Sequence, residues 1–156
     1  MIKINLLCVG KVKESYFADG IAEYSKRLSR FCDFSITETA EENLKNPTDG
    51  DVKNIVEKEG KNLLKKLSGK VYALAIEGEK FSSEKFAAEI QKEKNLGTGV
   101  ITFVIGGSYG LSDEIKKNAK LISFSDMTFP HTLFRLMFTE QLYRAFCISE
   151  GTAYHK

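Results

Sequence analysis

From Ile2 to Val9 the chain is mostly apolar and stops at Gly10, the pattern of a buried strand running into a loop. Ser15 then precedes Phe17, Ile21, Tyr24, Leu28 and Phe31, whose spacings of four, three, four and three share one helical face, with Ser15 placed to cap the helix. Phe34 to Thr37 alternates with period two, and the polar stretch Glu41 to Gly50, interrupted by Pro47, reads as a surface loop. Val52, Ile55, Val56, Leu63, Leu64 and Leu67 return to helical spacing, with Gly69 as the expected C-terminal cap.

The second half is more regular. Val71 to Ile76 is an apolar run ending at Glu77-Gly78, and a helical pattern follows from Ser83 through Phe86, Ala87 and Ile90. A further run, Val100 to Ile105, enters Gly106-Gly107-Ser108-Tyr109-Gly110-Leu111, after which Ser112 can cap a helix starting at Asp113-Glu114; Leu121 to Phe124 is the last strand candidate. Strands alternating with long helical crossovers predict an α/β fold, a mostly parallel sheet with helices on both faces, in a single domain spanning 1–156.

The last helical segment, Thr132 to Ser149, is apolar on nearly every side, so something must cover it; a homodimer interface is the expectation, and a central helix within a monomer is the other reading. At about 100° per residue, His131 and Arg135 share one side and Glu140 and Arg144 the opposite one.

Composition adds exclusions. With 42% hydrophobic and 28% charged residues the chain can build a core, and no apolar run reaches the roughly 20 residues of a membrane-spanning helix. No basic, apolar leader opens the chain, so a cytosolic protein without a membrane partner is expected. Cys8, Cys32 and Cys147 are far apart and outside metal-ligand spacing, His131 and His155 are the only histidines, and no metal site is expected. The net charge of +2 does not by itself argue for a polyanion, although Lys11/Lys13, Lys26/Arg27/Arg30 and Lys65/Lys66/Lys70 form local clusters.

Strand–Gly106-Gly107-x-x-Gly110–helix resembles a nucleotide-binding turn, and a plain turn with a helix cap is the other reading. Asp126, twenty positions after Gly106, would suit a ribose in a dinucleotide fold. The glycine spacing is not that of such a fold, however, and thirty residues after Asp126 leave no room for its second half.

Four ordered motifs change the picture: Ile105 to Leu111, Met127-Thr128-Phe129-Pro130-His131, Glu140 to Ala145, and Tyr154-His155-Lys156. Together with Val9-Gly10-Lys11 they resemble the SPOUT-class RNA methyltransferases over the whole chain. The resemblance implies a SPOUT fold with a C-terminal trefoil knot and a homodimer with its active site at the interface. It also implies S-adenosyl-L-methionine held by Leu74, Gly106, Phe124, Ser125, Asp126, Met127, Thr128 and Phe129. The implied reaction is methylation at N3 of a pseudouridine in large-subunit (23S) ribosomal RNA, with the assembled ribosome as partner. In it His155 would handle the proton, Tyr154 the base, Arg135 and Arg144 a phosphate or the base carbonyls, and Lys156 the RNA backbone. A nicotinamide-dependent oxidoreductase and a non-catalytic ribosome-binding module are the competing readings.

Overall fold

The computed structural model describes residues 1–156. Its elements are β1 (Lys3–Val9), α1 (Ser15–Leu28), β2 (Asp33–Thr39), α2 (Asp49–Leu64), β3 (Lys70–Lys80), α3 (Ser83–Asn95), β4 (Val100–Ile105), α4 (Asp113–Lys117), β5 (Lys120–Ser123) and α5 (His131–Glu150). The strands form one sheet in the order β2-β1-β4-β3-β5, with every neighbouring pair parallel. The expected α/β class is therefore found, and the sheet is parallel throughout.

Alternate strand residues feed two cores. Ile4, Leu6 and Cys8 of β1 join Ile101, Phe103 and Ile105 of β4 beneath α1, α3 and α5, whereas Leu7, Val9 and Val104 meet Leu63 of α2 and Ile115 of α4 on the other face. α5 packs between α1 and α3. Phe138, Leu142 and Phe146 face the sheet, while Leu136, Met137 and Arg144 on its outer side stay half-buried. All three cysteines are free and buried, and burial pushes the Cys8 thiol up to about 12, as inert packing residues require.

Two caps differ from the sequence expectation. Ser15 is the first helical residue and not the cap, because the amide of Ala18 already closes a turn on the carbonyl of Glu14. Gly69 does not end α2. The helix stops at Leu64, its end tightens through bonds from Lys66 to Leu63 and from Leu67 to Leu64, and Gly69 (φ 65°) turns the chain into β3. At its start α2 gains a turn beyond the apolar pattern. Thr48 Oγ1 accepts from the Asp51 amide at 3.1 Å and the Asp51 carboxylate accepts from the Thr48 amide at 3.0 Å.

β3 is longer than its apolar run and irregular. Leu74 and Glu79 both register with Ile122, so residues 75–78 are looped out of the ladder. Gly78 permits this, since a Cβ there would lie 2.6 Å from the Ile122 nitrogen. The looped segment projects beside the carboxyl ends of β4 and β5.

Candidate active site

Three segments converge at the carboxyl ends of β3, β4 and β5 on a cavity of about 730 Å³, within the usual range for small-ligand sites. Leu74, Ala75 and Ile76 come from β3 where it leaves the ladder, Gly106 and Gly107 from the turn after β4, and residues 122–125, 127–132 and 134 from β5, the segment after it and the first turn of α5. Leu74, Gly106, Phe124, Ser125, Met127, Thr128 and Phe129, all expected at a cofactor site, line this one cavity.

Each wall has a local cause. A Cβ at Gly106 would lie 2.7 Å from the backbone of Gly110, so the turn closes only with glycine there, and the Gly110 amide donates to the Gly107 carbonyl at 3.1 Å. Ser112 Oγ accepts from the Ile115 amide at 3.3 Å, so α4 is capped by its own side chain. Ser125 Oγ accepts from the Met127 amide at 3.0 Å, and Ser123 Oγ donates to the Ser125 carbonyl at 2.9 Å, which folds the 124–129 segment. Phe124 is wedged against Phe86, Phe134 and Phe138 with ring centroids 5.1–6.1 Å apart. Asp126 differs from its neighbours. Its side chain is exposed and pairs with Lys80, so it is not a cavity wall.

The tail groups gather elsewhere. After Gly151 caps α5 in a left-handed conformation the chain turns back along the helix. Tyr154 Oη then donates to Glu140 Oε1 at 2.9 Å and lies 3.3 Å from Tyr24 Oη. Burial and these two partners raise its phenol well above the ordinary range, so Tyr154 is a neutral donor at physiological pH. Arg144 donates to the same Glu140 oxygen and to His155 Nδ1 at 3.1 Å, while His155 Nε2 lies 2.8 Å from Glu84 Oε1. Hydrogen bonding to Glu140 also raises Arg144, which stays a cation. Lys156 is exposed. None of Arg144, Tyr154, His155 or Lys156 lines the 730 Å³ cavity of its own chain. Glu140 and Tyr24 instead border a second hollow of about 600 Å³, and Phe124 is a wall of both.

Arg135 corrects an expectation. It is 2% exposed, with Nη1 on Glu38 Oε2 at 2.5 Å and Nη2 donating to the Gly10 carbonyl at 3.0 Å. Nη1 and Nη2 are both engaged inside the protein and the buried Nε has no partner, so Arg135 ties α5 to the ends of β1 and β2 and is not disposed toward a phosphate or a base.

The sequence shows Glu38, Glu41, Glu42, Asp49 and Asp51 as an acidic patch, but not that Glu41 stands beside the glycine turn or that Glu59 joins it. Ser108 Oγ donates to Glu41 Oε1 at 3.2 Å, and His131 Nε2 lies 3.6 Å from the same oxygen. Glu59 is 3% exposed; its Oε2 accepts from the Glu42 amide at 3.1 Å and its Oε1 has no partner. Ile55, Glu59 and Leu63 recur every four residues, which was enough to place Glu59 on the buried face of α2. Glu84 and Tyr24 carried no such signal, being joined to the tail only by the fold.

Comparison with known proteins agrees with this geometry. The family model described as "Predicted SPOUT methyltransferase" matches residues 2–155. Proteins named ribosomal RNA large subunit methyltransferase H are similar over 99% of this chain and 100% of their own length. The Streptococcus thermophilus and Streptococcus mutans proteins are 50% identical and that of Lactiplantibacillus plantarum 49%. Among solved structures, a probable methylase family protein from Haemophilus influenzae aligns with a TM-score of 0.54 at 12% identity, covering 99% of this chain and 70% of that one, a likeness of fold. The strand order, the cavity between three carboxyl-end segments and the full-length match have one explanation: this chain is an enzyme belonging to the SPOUT methyltransferase family.

Proposed function

We propose that the chain methylates N3 of a pseudouridine in large-subunit (23S) ribosomal RNA, using S-adenosyl-L-methionine and acting in the cytoplasm as a homodimer on the assembled ribosome. The observation that carries this reading is the convergence of Leu74, Gly106 and the Phe124–Phe129 segment on one cavity, in a chain half identical to proteins named for ribosomal RNA methylation.

The residues fit the cofactor. Apolar walls at Leu74, Phe124 and Phe129 suit a flat heterocycle, and at Gly106 and Gly107 no side chain stands between a ligand and the backbone. When bound, S-adenosyl-L-methionine supplies a methyl group on a cationic sulfur, ready for in-line attack without metal or covalent intermediate. What remains for the protein is to orient the base, exclude water and manage the N3 proton. Tyr154 and His155 are assigned these tasks, with Arg144 stabilising charge on the base carbonyls and Lys156 touching the backbone.

The tail lies outside its own cavity, which supports a dimer in which one subunit's tail completes the other's pocket. The half-buried outer side of α5, with Leu136 and Met137, supports the same arrangement. The reading includes a C-terminal trefoil knot. Its support is the path of the chain, in which β5 pairs at the outer edge beside β3 and α5 then returns between α1 and α3.

Calorimetry with S-adenosyl-L-methionine and with NAD, followed by tritium transfer to ribosomes from cells lacking this gene, tests the proposal. Binding of the former alone, with label located at one pseudouridine by mass spectrometry, is expected. Binding of NAD alone, or label in protein or another base, would overturn it.

A further inference from the structure

The basic trio Lys26/Arg27/Arg30 of the α1 end has no place in the chemistry above, yet it sits on an ordered foundation. Tyr24, Tyr143, Phe31 and Phe146 form a continuous aromatic floor across α1 and α5. The centroid spacings are 5.9 Å for Tyr24–Tyr143, 6.1 Å for Phe31–Tyr143 and 5.5 Å for the stacked pair Phe31–Phe146. Three cations cover it. The Arg27 guanidinium lies 5.2 Å from the Tyr24 ring and 5.7 Å from Tyr143, that of Arg30 lies 4.8 Å from Phe31, and Lys94 Nζ at the end of α3 lies 5.7 Å from Phe146. Arg27 is paired with Glu23 at 3.0 Å; Lys26, Arg30 and Lys94 belong to no ion pair.

A cation resting on a ring face is held in place and partly stripped of water, while its remaining N–H groups stay open to an anion. Three positive side chains so arranged, with the exposed Lys26 beside them, complement a phosphate backbone. A twofold contact centred on them would set each cation against its own copy, so this patch lies outside the homodimer contact proposed at Leu136 and Met137. The floor is continuous with the tail, since the Tyr143 ring meets Tyr154 edge-on at 4.8 Å and Tyr24 meets it through the hydroxyls at 3.3 Å. We propose that this face, carrying Lys26, Arg27, Arg30 and Lys94, grips the ribosomal RNA backbone flanking the target nucleotide. The inference rests on the ribosomal RNA reading above and adds to it a docking surface outside the reaction site.

The test compares R27Q/R30Q/K94Q with K61Q/K65Q/K66Q, which removes as many charges from the end of α2 on the opposite face of the sheet. Binding to ribosomes purified from cells lacking this gene is measured across a salt series, alongside S-adenosyl-L-methionine affinity, melting temperature and sedimentation. The first variant is expected to bind at least tenfold more weakly at low salt and to lose about two units of salt slope, at about 0.7–0.9 per phosphate contact. Its cofactor affinity and melting should be unchanged, and the control should match the wild type. Equal loss in both variants, no loss in the first, or a changed oligomeric state in the first would overturn the surface. A wild-type chain that binds cofactor but not these ribosomes would overturn the ribosomal RNA reading and the surface with it, whereas undiminished binding by the first variant overturns the surface alone.

Discussion

Nη1 of Arg144 lies 3.1 Å from Nδ1 of His155, and because a guanidinium can only donate, Nδ1 must present its lone pair. The proton of a neutral His155 ring is thereby assigned to Nε2, where it points at Glu84 Oε1, 2.8 Å away. In the proposed reaction this ring, held in one tautomer between a cation and a carboxylate, would exchange the Arg144 contact for the N3 proton while Glu84 steadies the imidazolium. His155→Ala is expected to lower the single-turnover methylation rate by about 10²–10⁴-fold, the usual worth of a positioned proton carrier. Cofactor affinity by calorimetry should stay within about twofold, because the ring does not line the cavity of its own chain.

Gly106 tests the other half of the site. A Cβ there would come within 2.7 Å of both the carbonyl carbon and oxygen of Gly110, backbone atoms that cannot step aside as a flexible side chain would. Gly106→Val should open the turn and weaken S-adenosyl-L-methionine binding by about tenfold or more, roughly 1.4 kcal/mol. The same calorimetric titration checks it, and circular dichroism should report an intact fold.

Much of the framework was legible in the chain, for a simple reason. Runs such as Val100 to Ile105 are buried on both faces of a parallel sheet, so their apolar pattern needs no knowledge of what lies beside them. Element ends were less so. Ser15 and Gly69 are residue types that favour caps, but which hydrogen bond closes first is decided by the neighbouring turn, and the Thr48–Asp51 box went unread. The residues lining the cavity came from family resemblance; periodicity offered only the glycine turn, and the Ala75–Gly78 loop-out depends on the strand paired across it. Arg135 was misread because a helical wheel gives the side of a residue and not what covers that side. Its partner Glu38 lies 97 positions earlier in the chain.

Arg135→Ala should therefore be a stability variant. It leaves the carbonyls of Val9 and Gly10 without their donor and Glu38 without its cation, and breaking a buried charged pair costs about 3–5 kcal/mol. Glu38 is the more exposed partner, so the lower part of that range applies, or a drop in melting temperature of about 6–12 °C. Differential scanning calorimetry checks the value, and Arg135→Lys should recover part of the loss.

Glu59 makes the opposite prediction, one that depends on pH. Burial is the largest influence on its carboxyl and raises its pKa; the Glu42 amide pulls the other way, and the nearby Glu41 and Glu42 charges push up again. A carboxyl whose pKa is higher folded than unfolded holds its proton more tightly in the native state. The stability it confers is full below the unfolded value of about 4.3 and is lost as pH rises through the folded value. Glutamine keeps an acceptor for the Glu42 amide and carries no charge at any pH. The stability of Glu59→Gln relative to the wild type should consequently increase from pH 4 toward pH 8 and then level off, as measured by urea unfolding at each pH. A difference that stays flat across that range would mean that the buried carboxyl finds a compensating positive charge, and the near candidates are narrow. Lys58 is paired with Glu42 at 3.0 Å, and His131 faces Glu41.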